Sequence, residues 1–114
     1  MKLLTKAIEK KLPMLYEGDK TAYVKYFTPW TGWTWYVTEA AASVKHADGT
    51  YSHVKLSDVT SDMAVEDVLF YGYVEGFEKE WGCFSLEQLK EVKGPFGLKI
   101  ERDLYWEPKE VGIR

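Results

Sequence analysis

Leu4, Ile8 and Leu12 recur at four-residue spacing among lysines, with Thr5 placed to cap the first turn and Pro13 to stop the last. This pattern predicts a short amphipathic helix. Beyond the Glu17-Gly18-Asp19 turn the period changes to two. Ala22 to Phe27 alternates and is rich in Tyr, Val and Phe; Pro29 and Gly32 interrupt it, and Trp33 to Thr38 repeats it, which predicts two strands joined as a hairpin. Val68 to Gly76 is apolar and aromatic enough for a central strand, with Phe77 to Phe84 as its antiparallel partner. Ser85-Leu86-Glu87-Gln88 reads as a capping box, followed by a Leu86, Leu89, Val92 stripe, so a second short helix is expected before Gly94-Pro95. Ile100 to Trp106 closes the set as a last strand.

Residues 40–67 follow a different pattern. Ala40-Ala41-Ala42 has helical propensity, but Val44 to His46 and Tyr51 to Leu56 flank Asp48-Gly49, a dipeptide that suits a two-residue hairpin turn. The reading is a polar hairpin followed by a loop to Asp67. With that turn His46 lies opposite Tyr51 and His53 opposite Val44, so both rings share a face. The elements are interspersed rather than strictly alternating. The expected fold is therefore a single α+β domain over residues 1–114, with a mainly antiparallel sheet of four to six strands and two short helices.

Composition narrows this further. A 114-residue chain buries roughly 60–65% of its unfolded surface, so its five Trp, eight Tyr and five Phe must supply much of the core. No apolar run is long enough to cross a bilayer, and charge recurs too early for a secretory leader. A single cysteine cannot form an internal disulfide, which fits a cytoplasmic location. Net charge is only -3, but it is unevenly spread. Residues 1–38 carry six lysines against three acids, whereas residues 39–80 carry nine acids against three lysines. With only two arginines, Arg102 and Arg114, the chain is poorly equipped to bind duplex DNA.

Candidate chemistry is sparse. His46 and His53 could reach one ion, but a zinc site needs further ligands and only Asp48 is near in sequence. A metal-dependent hydrolase built on them is the weakest reading, and no cofactor is implied. Cys83, between Gly82 and Phe84, reads as a small core residue rather than a nucleophile. Trp30, Trp33 and Trp35 interleave with Thr and Gly beside Tyr23, Tyr26, Phe27 and Tyr36. Alternation puts Trp33 and Trp35 on one face, where indoles belong to a core. Trp30, in the Pro29-Trp30-Thr31-Gly32 turn, is expected to be the exposed ring and a partner contact.

The segments Ala22-Tyr23-Val24-Lys25-Tyr26-Phe27-Thr28-Pro29, Trp33-Thr34-Trp35-Tyr36-Val37-Thr38-Glu39, Gly72-Tyr73-Val74-Glu75-Gly76, Trp81-Gly82-Cys83-Phe84-Ser85-Leu86 and Gly94-Pro95-Phe96-Gly97-Leu98 resemble the domain of unknown function 2958 family. The resemblance carries no catalytic residues. It implies cargo of plasmids, integrative elements and phages, encoded beside conjugation, methylation and anti-restriction genes. Residues 40–67 depart from the family pattern, where many members have a shorter connection, and are expected to be a family-variable insertion.

Two functions follow as expectations. The first is a non-enzymatic interaction protein of a mobile element that blocks a host nucleic-acid-targeting defence protein. Trp30 and the acidic residues Asp58, Asp62, Glu66 and Asp67 would make the contact and compete for a basic channel. The partner would be host- or element-encoded. The alternative is a single-stranded nucleic-acid binder using Tyr23, Lys25, Tyr26 and Trp30.

Overall fold

A computed structural model describes residues 1–112, so Arg114 lies outside the described residues. Helix α1 (Lys6–Lys11) begins where Thr5 Oγ1 accepts the Ile8 amide at 3.3 Å and ends at Leu12, ahead of Pro13. Eight strands follow around one further helix. They are β1 (Thr21–Ala22), β2 (Val24–Phe27), β3 (Thr34–Lys45), β4 (Tyr51–Val54), β5 (Ala64–Glu75), β6 (Lys79–Ser85), then α2 (Leu86–Glu91), β7 (Glu101–Arg102) and β8 (Lys109–Glu110). The Ser85–Gln88 capping box opens α2 with both of its reciprocal bonds made.

All strand pairs are antiparallel. The main sheet runs β6-β5-β3-β2-β7, with β4 also on β3, and β1 and β8 form a separate two-stranded ribbon. The fold is α+β, with a mainly antiparallel sheet and two short helices.

The long strands β3 and β5 form the spine. β5 occupies one edge of β3, while β2 and β4 share the other, pairing with residues 34–37 and 42–45. The Pro13 carbonyl fills the gap between them by accepting the Ala40 amide at 3.0 Å. Ala40, Ala41 and Ala42 are fully buried in this strand, so sheet pairing overrides their helical preference. The register shifts between Val37 and Glu39, leaving Thr38 as the extra residue, whose hydroxyl donates to the Tyr71 carbonyl at 3.1 Å. This bulge brings the Tyr36 carbonyl against Gly72, where a Cβ would lie 1.8 Å from the oxygen.

One face of the sheet carries the core. Val24, Tyr26, Val37, Phe70 and Phe84 meet Leu3, Leu12, Leu89 and Ile100 from the helices and the segments beside them. Tyr26 has no exposed surface, and its hydroxyl donates to the Leu3 carbonyl at 2.6 Å. The Arg102 guanidinium donates to the Lys2 carbonyl at 3.1 Å, so the N-terminal segment is held at two points.

Three sequence expectations change. The hairpin after β3 has a three-residue loop, Ala47-Asp48-Gly49, closed by the His46 amide on the Thr50 carbonyl, with Gly49 at φ +87. That extra residue moves the register by one, because a three-residue loop combines a turn with a left-handed glycine. Residues 40–67, expected as a polar hairpin followed by a loop to Asp67, do contain the β3–β4 hairpin, but β5 already begins at Ala64 and Leu56 lies in the core. The last strand is only Glu101–Arg102: Asp103 Oδ1 accepts the Tyr105 amide and turns the chain away.

Candidate functional site

The face of the sheet opposite the core presents a transverse row of side chains. Lys25 on β2 pairs with Tyr36 on β3, Tyr36 with Tyr73 on β5, and Tyr73 with Trp81 on β6. Directly opposed residues in a sheet project to the same side, so four strands contribute one side chain each to a continuous line. Ring centroids are 6.3 Å apart for Tyr36 and Tyr73 and 5.4 Å for Tyr73 and Trp81. Tyr71, two residues along β5, stacks on Trp81 at 5.9 Å with planes 20° apart. At the other end Trp106 lies 5.4 Å from Tyr36, its Nε1 donating to the Ala22 carbonyl at 3.0 Å. All five rings are half-buried, on the face opposite the core that receives Leu89 and Ile8 from the helices.

The charges beside this ladder are matched. The Lys25 ammonium is 4.0 Å from Asp103 and lies over both Tyr36 and Trp106, while Lys109 sits 4.5 Å over Trp106. Glu75 faces Tyr36. Burial first, then the hydrogen bond and negative charge of Glu75, push the Tyr36 phenol up to about 12. Lys25, Tyr36, Tyr73, Glu75, Trp106 and Lys109 line a cleft of about 310 Å³, bounded by Val111 and Gly112. Gly112 is in the left-handed region at φ +65, and a Cβ there would be 2.7 Å from Trp81. The C-terminal segment thus passes close beside the ladder.

A family model described as a protein of unknown function (DUF2958) matches residues 2–111. The chain belongs to the DUF2958 family. No curated protein and no solved structure matches it.

Several residues singled out on this DUF2958 chain by sequence take other positions. Tyr26, expected in a stacking set, is in the core, and its burial pushes the phenol well above its usual range. Tyr23 also packs against the core. Trp30 is half-buried over Gly94, where a Cβ would come within 2.4 Å of the indole. Of that set only Lys25 reaches the aromatic ladder. Cys83, expected inside, is exposed beside Tyr71, because its partner register points it away from the core while Phe84 points in. Trp33 and Trp35 do share a face at 5.8 Å; Trp35 packs on the core and Trp33 is met edge-on by Phe77.

The histidines are separated. Ser43 pairs with His53 and Val44 with Ser52, while His46 Nε2 and Ser52 Oγ are 2.7 Å apart. A one-residue change of register reverses the face of every side chain, and His46 and His53 therefore project to opposite sides. Among the described residues no three His, Cys, Asp or Glu side chains gather in a metal-binding group.

The acidic residues divide by role. Asp67 Oδ1 accepts the Val68 amide at 2.7 Å and the Glu87 amide at 3.1 Å, which ties β5 to the first turn of α2. Asp58, Asp62 and Glu66 are exposed and form no ion pair among the described residues. The Thr60 hydroxyl bonds Asp62 and holds its carboxyl below the usual range.

The ladder escaped the sequence reading because its rings come from three strands and the C-terminal segment. The available signal was Tyr71 and Tyr73 at strand spacing, opposite Trp81 in the partner strand.

Proposed function

We propose that this DUF2958 protein is a small non-enzymatic interaction protein of a mobile genetic element. It binds and inhibits a host nucleic-acid-targeting defence protein, in the manner of anti-restriction or anti-CRISPR factors. The observation that carries the reading is the half-exposed Tyr71-Trp81-Tyr73-Tyr36-Trp106 ladder on the face opposite the core. Half-exposed Tyr and Trp rings are the chemistry of protein-interface anchors. Lys25 is engaged with Asp103 and with the Tyr36 and Trp106 rings, and Lys109 with Trp106, so little positive charge is left beside the ladder for phosphates. The unpaired carboxylates of Asp58, Asp62 and Glu66 add long-range attraction toward a basic surface.

The test is capture from lysates of defence-competent bacteria, with the captured protein then purified and its nuclease activity assayed. Wild-type protein should capture and inhibit it. Trp81→Ala with Trp106→Ala should lose capture, and Asp58→Lys with Asp62→Lys and Glu66→Lys should slow association. Full inhibition by both folded variants overturns the reading.

The same ladder favours one alternative, a single-stranded nucleic-acid accessory protein, because stacked rings accept bases at roughly 1–3 kcal/mol each. Tryptophan emission titrated with oligonucleotides at two salt concentrations separates the two. Quenching that weakens with salt supports the alternative; unchanged emission at low salt removes it.

A further inference from the structure

On the helix-bearing side of the sheet, away from the aromatic ladder, lies a groove of about 930 Å³. Its floor is apolar: Leu3, Leu89 and Ile100 are buried there, and Leu4, Leu86 and Leu98 form the walls. Leu98 is 40% exposed. Around the rim stand Lys2, Lys6, Lys90 and Lys99, all exposed, against Glu9 and Glu101, which are only half-exposed. Lys90 is engaged by Glu87 at 3.5 Å. Lys2, Lys6 and Lys99 have no ion-pair partner among the described residues.

A leucine floor inside a lysine rim sets the chemistry of its occupant. Bases need aromatic platforms and this floor has none, so nucleic acid is a poor match. A second copy of this chain would have to offer its acidic segment, but residues 56–67 form a three-residue 3₁₀ turn and the start of a strand, with no amphipathic helix to insert. What fits is a helix with leucine-like residues on one face and carboxylates on the flanks, the helix-in-groove mode of recognition. We infer that this groove docks an acidic amphipathic helix of a partner protein, apolar face down on Leu4, Leu86 and Leu98 and carboxylates paired with Lys2, Lys6 and Lys99. This site is separate from the ladder and its carboxylate neighbours, and stands or falls independently of the inhibitor reading.

The experiment uses the full chain and a fluorescein-labelled peptide of about 14 residues, four helical turns, with Leu at i, i+3, i+4 and i+7 and Glu elsewhere. Its counterpart carries Lys for Glu. By anisotropy the acidic peptide should bind, with affinity falling as salt rises. Leu98→Glu should weaken it about tenfold or more, as should the Lys6→Glu, Lys99→Glu pair, since a lost anchor or reversed charge is worth at least about one decade. Circular dichroism of each variant should match wild type, because the substituted side chains are exposed. Absence of binding by the acidic peptide, equal binding by the basic one, or indifference to both variants overturns the inference. So does a dimer in light scattering that Leu98→Glu dissociates, which would make the groove a contact between copies.

Discussion

Tyr73 and Trp81 face each other across β5 and β6 with ring centroids 5.4 Å apart, on the side of the sheet opposite the core. Cross-strand aromatic pairs are worth about 0.2–1 kcal/mol to a sheet. A protein that used these rings only for stability would gain more by burying them. Trp81→Ala is expected to lower unfolding free energy by only about 1 kcal/mol in urea while removing partner capture. A loss of several kcal/mol with capture intact would assign the ring to stability alone.

Cys83 lies opposite Tyr71 on the same face and is the only cysteine. Native protein should react with one equivalent of a thiol reagent without prior unfolding. A bulky maleimide placed there should block partner binding while leaving circular dichroism unchanged. A thiol that reacts only in denaturant would contradict the exposed position.

Gly72 has no room for a side chain, since a Cβ would be 1.8 Å from the Tyr36 carbonyl oxygen and 2.8 Å from its carbon. Backbone cannot rotate away as a side chain can, so relief requires β3 and β5 to separate where the Thr38 bulge joins them. Gly72→Ala should destabilise the fold by about 3 kcal/mol, measured by urea unfolding. Gly82→Ala is the control, because a Cβ there meets nothing within 4 Å. Equal stability of the two variants would disprove the close approach.

Glu39 is buried, and its two carboxylate oxygens accept the Tyr16 and Gly18 amides at 2.9 Å each. That clamp holds Tyr16 in the left-handed region at φ 69, a conformation that costs a non-glycine residue about 1–2 kcal/mol. Glu39→Gln keeps one acceptor but turns an amide group toward a second N–H. It should cost about 1–3 kcal/mol and free the loop at residues 15–18, seen as faster amide exchange at Tyr16 and Gly18. Unchanged exchange would argue against the clamp.

Tyr36 titrates at about 12, raised first by burial and then by Glu75, against an ordinary phenol value of 10.0. A phenol whose folded value exceeds its unfolded one stabilises the fold fully below pH about 10. That contribution is lost as pH rises from about 10 toward about 12. Absorbance titration should therefore find Tyr36 lagging behind the exposed tyrosines, and Glu75→Gln should bring it back toward them. A single transition for all tyrosines in both proteins would refute this.

Local patterns in the chain determined much of this protein. Thr5 and Ser85 cap the two helices, each hydroxyl accepting the amide three residues on from an extended N-cap position. The two-residue alternation from Ala22 and from Trp33 makes strands, and interspersed helices and strands make a mainly antiparallel α+β domain. The family was also legible, in short motifs spread along the chain. Tertiary structure decided what periodicity leaves open. One extra loop residue at Ala47-Asp48-Gly49 put His46 and His53 on opposite faces, because register is fixed by turn geometry rather than by the strands themselves. Packing of Ala40, Ala41 and Ala42 turned a helix-prone triplet into the middle of the longest strand pair. The row from Lys25 through Tyr36 and Tyr73 to Trp81 exists only once four strands are laid side by side, since residues up to 37 positions apart, Tyr36 and Tyr73, become neighbours through hydrogen bonds that no local pattern encodes.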